Sequence, residues 1–194
     1  MIEKRVKIDS VKVLNQALGI VEAYVNTMGA PDLDNDLIDA AAFNDSIAHN
    51  LPIPVLVGHD TNQVVGKVTG ARAMAWADGT SRLYTRLQYN MDTEAGRDAF
   101  SNVSGGYVRE WSVGFNIPSG AASVVREAGR TLRKIATLDW IEVSSVLRGA
   151  SPGTATIATK GATTPATDDA ADAAADIVRT RIALAYQSVR GINV

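Results

Sequence analysis

The sequence contains no cysteine and only two histidines, His49 and His59. Without thiols there is no disulfide scaffold, no cysteine nucleophile and no zinc site built on sulfur. Two histidines also leave too little imidazole for a multi-histidine metal centre. Charge of one sign is not in excess: 19 Lys and Arg stand against 21 Asp and Glu, a formal net charge of −2. The basic stripe that coats nucleic acid is therefore missing. Nowhere is there a run of about 18 apolar residues, the length of a bilayer-spanning helix. Residues 1–12 are mixed and charged, without the apolar stretch of an export signal. These absences predict an intracellular soluble protein with no membrane or nucleic-acid partner. The nucleophile systems left open are Ser or Thr with one His, or a pair of carboxylates.

What is present suits a folded core. Hydrophobic residues make up 46% of 194 residues, and the mean hydropathy is +0.00. That length holds one ordinary domain, or one domain with an appendage. The composition changes near Lys160. Before it, Val, Ile, Leu and Gly alternate with polar residues, giving a core domain over 1–160. Residues 161–169 (GATTPATDD) are small and polar with a proline and read as a flexible linker. Residues 170–194 form an Ala-rich tail. In it Ala174, Val178, Ile182, Ala185 and Val189 recur at spacings of three and four, the stripe of an amphipathic helix.

Within the core the pattern predicts strands over 18–26, 55–57, 64–77, 81–89, 111–117, 131–137, 138–146 and 154–159. The pair 64–77 and 81–89 reads as a hairpin turning at Asp78-Gly79, a dipeptide suited to positive φ. Helices are expected over 39–49 and over 92–104, the second with Asp92 as its N-cap. Many strands at short spacing with few helices favour a mainly β fold with peripheral helices, specifically a closed or nearly closed antiparallel barrel.

Three windows carry polar residues where chemistry is possible. His59 follows an apolar strand and a glycine in PVLVGHD, where a side chain can be held rigidly and face a cleft; taken alone, the window favours a partly exposed loop histidine. His49, at a helix end beside Asn50, suits the helix dipole and is assigned a structural role. Ser112 lies between Trp111 and Val113 in EWSVGF, with Gly114 on its own face leaving space over the hydroxyl. This is not the Gly-x-Ser-x-Gly elbow, and a structural serine fits the window too. Glu142, in DWIEVSSV, is expected to share a strand face with Trp140 and Ser144; a lone strand carboxylate is ordinarily solvated.

Together the windows mean more. A weakly nucleophilic hydroxyl needs a base in reach, and that base needs a third group to fix its tautomer and stabilise its charge. Ser112, His59 and Glu142 could fill those roles from three separate strands or strand ends. Asp32, Asp34 and Asp36 alternate like a calcium loop but lack its glycine and distal glutamate, and are expected to form a solvated turn.

These windows carry a family resemblance. The leading residues are 19–26, the acidic stretch 32–36, then Ala42-Phe43 and Ser46. They continue with residues 54–60 ending in Gly58-His59-Asp60, Val65-Gly66-Lys67-Val68, Trp111-Ser112-Val113-Gly114-Phe115 and Ile141-Glu142-Val143-Ser144. In this order and at these separations the chain resembles the tailed-phage prohead (capsid maturation) serine proteases, similar in fold to the herpesvirus assemblins, over residues 18–159. The resemblance implies an antiparallel β-barrel and a Ser–His active site, carried here by Ser112 and His59. Herpesvirus relatives use a second histidine as third member. Here Glu142 occupies the acidic position in the strand after the serine strand, with Glu110 and Asp139 as alternatives. An arginine-bearing loop in those proteases implies oxyanion donors at Arg148 and Gly149.

The implied activity is that of a serine endopeptidase without a cofactor or metal. The implied substrates are the scaffold protein, the scaffolding segment of the major capsid protein, and the protease itself, cleaved inside the procapsid in the bacterial host. The tail helix could bind a scaffold or capsid partner, or pack back on the barrel. Two other classes fit the same sequence: a catalytically inert scaffold- or capsid-binding homologue, and a different serine hydrolase such as an esterase.

Overall fold

The computed structural model describes residues 18–160 together with the backbone of Lys12–Val13. The linker expected over 161–169 and the helix expected over 170–194 lie outside the described residues. The elements in chain order are β1 (Lys12–Val13), β2 (Ile20–Met28), β3 (Asp36–Ile38), α1 (Asn44–His49), β4 (Ile53–Val57), β5 (Val64–Ala75) and β6 (Ser81–Tyr89). They continue with α2 (Glu94–Ser104), β7 (Glu110–Asn116), β8 (Ala122–Glu127), β9 (Arg130–Ile135), β10 (Asp139–Val146) and β11 (Ala155–Lys160). Among the described residues no helix is long and apolar enough to cross a membrane.

The mainly β class holds, but the barrel is neither closed nor wholly antiparallel. Eight strands form one sheet in the order β1-β11-β2-β6-β5-β4-β10-β7, and β3-β9-β8 form a second. Three pairings are parallel: β1 with β11, β4 with β10, and β3 with β9. The large sheet curls until its end strand β7 reaches β11. There the junction is made by side chains. The Trp111 amide donates to Thr154 Oγ1 and the Trp111 indole N–H to Thr156 Oγ1, each at 3.1 Å. The reason is visible in β7, whose ladder partner among the described residues is β10 alone.

The curled face encloses the core. Val21, Val25, Val55, Leu83, Leu87, Trp111, Val143 and Trp140 are all fully or almost fully buried in it. Phe43 meets Trp140 edge-to-face at 5.5 Å between ring centroids, a favoured aromatic geometry. α2 covers one part with Gly96, Ala99, Phe100 and Val103, spaced by three and four so that they share one face. Gly79 takes the positive φ of the β5–β6 turn, as the Asp78-Gly79 dipeptide predicts.

Local departures from the expected elements have local causes. The helix expected over 39–49 forms only at Asn44–His49. The preceding backbone is used elsewhere: the Asp39 amide donates to Ile135 O, and the Leu138 amide donates to Ala42 O. The N-cap of α2 is Thr93, not Asp92. Thr93 is extended, and its Oγ1 accepts from the Gly96 amide at 3.1 Å. Strands β3 and β8 lacked a readable alternation and were not expected.

The acidic stretch is not a freely solvated turn. Asp32 Oδ1 accepts from the amides of Asp34 and Asp36 at 2.9 and 2.8 Å, while burial pushes the Asp32 carboxyl above its ordinary value. Asp36, only 4% exposed, takes both forks of Arg133 at 2.7 and 2.6 Å, which raises the guanidinium's own pKa further. This pair pins β3 beside β9. Removing the arginine strands a buried carboxylate. We expect Arg133→Ala to destabilise the protein by about 1–3 kcal/mol in urea denaturation, at the modest end because Arg133 is half exposed. The double variant Asp36→Ala/Arg133→Ala should lose less than the sum of the two single changes.

Candidate active site

Three adjacent strands, β4, β10 and β7, carry the residues singled out in the sequence. β10 is their centre. Ser144 pairs with Ser112 of β7 on one side and with Leu56 of β4 on the other. Paired residues point to the same face, and in an antiparallel pair their Cβ atoms are about 4.5–5.5 Å apart. Ser112, Ser144 and Leu56 thus form one row across the sheet. Trp111, Val113 and Val143 face the opposite way, into the core.

A β-bulge decides where Glu142 points. In β10 the register shifts between Trp140 and Glu142, so that Trp140 pairs with Phe115 and Glu142 with the next residue, Gly114. Such an extra residue re-aims the side chains that follow it. The face shared by Glu142 and Trp140, expected from simple alternation, does not exist. Trp140 turns into the core, and Glu142 joins Ser112 and Ser144. The space left by Gly114 is filled by the Glu142 carboxyl, against which a Cβ on Gly114 would collide.

His59 arrives from the end of β4. Gly58 and His59 both adopt left-handed conformations, with φ of 59° and 63°. Glycine does this freely; for other residues the left-handed region costs about 1–2 kcal/mol. Main-chain bonds offset that cost: the Gly58 amide donates to Ser145 O at 3.1 Å, and the His59 amide to Ser144 Oγ at 3.0 Å. The imidazole then lies against Glu142, with Nδ1 2.7 Å from Oε1. A carboxylate only accepts, so Nδ1 carries a proton in this contact, and in the neutral form of the ring Nε2 is the nitrogen with the lone pair. His59 is about half exposed at its side chain, at 47%, whereas Glu142 is buried at 8%. The second oxygen of that carboxyl accepts from Ser144 Oγ at 2.6 Å.

Ser112 makes no side-chain hydrogen bond among the described residues and is partly exposed. It stands one strand away from the Ser144 hydroxyl that touches both His59 and Glu142. The alternative carboxylates are committed elsewhere: Glu110 Oε2 accepts from the Gly149 amide at 2.8 Å, and Asp139 Oδ1 from Asn50 Nδ2 at 3.0 Å. Gly149 is packed so closely on the Trp111 carbonyl that a side chain would not fit. Its amide is therefore already engaged, while Arg148 beside it is exposed. His49, in the last turn of α1, contacts the Asp45 carbonyl through Nδ1 at 2.9 Å, away from this constellation in the chain and in its bonding. Ser144 had no sequence signal beyond its place on the Glu142 face.

After His59 the chain is tied by Asp60, whose carboxylate accepts from the Asn62 amide at 2.9 Å and from the Asn62 and Gln63 side chains at 3.1 Å each. These donors, the Asn62 amide first, hold the Asp60 carboxyl below its ordinary value. A depressed folded-state pKa contributes stability that is complete above the unfolded value and is lost as pH falls through the folded one. Asp60→Asn should therefore show a shallower loss of thermal stability than the unsubstituted protein on acidification below about pH 4. Melting curves at stepped pH check this. Gly114→Ala should expel the Glu142 carboxyl from His59. The expected result is loss of the downfield Nδ1 proton signal in NMR, with Tm lowered by several degrees, on the order of 1–2 kcal/mol.

Comparison with known proteins assigns the chain to a family. No curated protein matches the chain. Among solved structures, a similar one is KSHV protease in complex with a hexapeptide phosphonate inhibitor. It is 13% identical, with a TM-score of 0.44, over 71% of this chain and 63% of that one. The chain thus spans less than two thirds of that protease. The family described as caudovirus prohead serine protease matches residues 4–168, a span that takes in β4, β7 and β10 and all their polar residues, and the chain belongs to that family.

Proposed function

We propose that this chain is a serine endopeptidase of phage procapsid maturation, with Ser112 as nucleophile, His59 as general base and Glu142 as the group that orients the base. The observation that carries the reading is the 2.7 Å contact between His59 Nδ1 and the buried Glu142 carboxyl, one strand from a partly exposed serine. A carboxylate on Nδ1 selects the tautomer whose Nε2 accepts a proton and stabilises the imidazolium that results.

In this mechanism His59 Nε2 removes the Ser112 Oγ proton as the oxygen attacks the scissile carbonyl. The proton then passes to the leaving amine, giving an acyl-enzyme that water hydrolyses by the same route. Donors to the developing oxyanion contribute on the order of 3–4 kcal/mol. The segment at Arg148 and Gly149 is our candidate, because it lies against the peptide that joins Trp111 to Ser112. With the Gly149 amide held by Glu110, the Arg148 amide is the donor we assign first. The substrates we assign are the scaffold protein or the scaffolding segment of the major capsid protein, and the chain itself, within the procapsid in the bacterial host.

Co-expression with the major capsid protein of the same phage tests the reading. Ser112→Ala and His59→Ala should each lower capsid-protein trimming and self-cleavage by about a thousandfold or more, leaving unprocessed bands on gels. Processing that continues at the normal rate in both variants would favour an inert capsid-binding role. Fast turnover of a small ester with intact capsid protein would favour an esterase.

A further inference from the structure

We infer that Ser144 is a positioning residue of this site, whose hydroxyl holds the Glu142 carboxyl and the His59 main chain in a single register. The inference rests on the triad reading above and adds a fourth side chain to it. Ser144 is fully buried, and both capacities of its hydroxyl are directed at members of the constellation. Its Oγ accepts from the His59 amide at 3.0 Å and donates to Glu142 Oε2 at 2.6 Å.

The donated bond fixes the carboxyl plane. With Oε2 bound to Ser144, Oε1 is left facing His59 Nδ1, so one rotamer of Glu142 serves both partners. The accepted bond acts on the other side of the same contact. His59 is held in a left-handed conformation that is uncommon outside glycine, and the Ser144 oxygen accepts from its amide. Base and orienting acid come from different segments, the turn after β4 and the strand β10, and this hydroxyl bonds to both.

A second buried serine shows what an ordinary structural role looks like here. Ser46 Oγ donates to Leu138 O at 3.3 Å and accepts from the Trp140 amide at 3.0 Å, so it bridges main chain only. Ser144 is also unsuited to be the nucleophile itself. It is inaccessible and its proton is already given to a carboxylate, whereas Ser112, opposite it, is partly exposed.

The test compares Ser144→Ala, Ser144→Thr and Ser46→Ala in the full chain. For Ser144→Ala we expect kcat on a capsid-protein substrate to fall about 10- to 100-fold, the scale of an ångström-sized misplacement, with KM changed less than about twofold. We also expect its downfield His59 Nδ1 proton signal to broaden or disappear. Ser144→Thr, which keeps the hydroxyl, should restore both readouts. Ser46→Ala should lower Tm and leave both unchanged. Ser144→Cys, close in size with a weaker donor, should move both readouts in the alanine direction and serves where alanine unfolds the strand.

A folded Ser144→Ala variant with normal kcat and a normal proton signal would overturn the inference. So would a Ser46→Ala variant with the same kcat loss as Ser144→Ala at equal loss of Tm. The NMR arm needs no substrate. If Ser112→Ala and His59→Ala leave cleavage intact, the triad reading fails, while the proton signal still decides whether Ser144 holds the pair.

Discussion

A carboxylate removed from water must be hydrogen-bonded or it destabilises the fold. Glu142 is 6% exposed, and its two oxygens are satisfied by two donors, His59 Nδ1 and Ser144 Oγ. Much else in this region follows from that requirement. Gly114 opposite it has no side chain because the carboxyl occupies the place. The loop after β4 turns through two left-handed residues, which brings the imidazole back to the sheet. The bulge in β10 turns Glu142 out of the core, which Trp140 enters.

The strand arrangement makes this requirement achievable. β10 lies between β4, to which it runs parallel, and β7, to which it runs antiparallel. A central strand can present one face to residues from both neighbours, so the base, the orienting acid and the serine hydroxyl reach one side of the sheet from three separate segments. The serine and the acid are held by ladder hydrogen bonds, and the base by the turn that follows β4. The opposite face of the same strands is packed with Trp111, Val113, Val143 and Trp140, so the site stands directly on the core.

The sequence made much of the fold legible and less of the site. Hydrophobic alternation marked β2, β5, β6, β7 and β10, and the Asp78-Gly79 turn marked their hairpin, because these signals are local. The short helix α1 and the strand β3 were misread or missed, because distant partners decide them: Ile135 and Leu138 take the backbone groups that a longer helix would use, and β3 pairs with β9 nearly a hundred positions on. Asp36 looked like one more solvated acid until Arg133, far along the chain, met it in a parallel strand pair. Period-two reasoning put Glu142 on the face of Trp140, and one inserted residue reversed it.

Within the site, His59, Ser112 and Glu142 drew attention as polar residues among apolar neighbours. Ser144 is just as polar and more buried, yet nothing in its window distinguishes it from the serine beside it. By itself the sequence determined what chemistry was available: no thiol, one histidine outside a helix, a serine and an acid set in strands, since side-chain chemistry belongs to residue type. Only the tertiary structure decided which of these groups meet. A hydrogen bond depends on separations of about 3 Å, and across strands that separation is set by register, bulge and turn conformation, which join residues more than eighty positions apart.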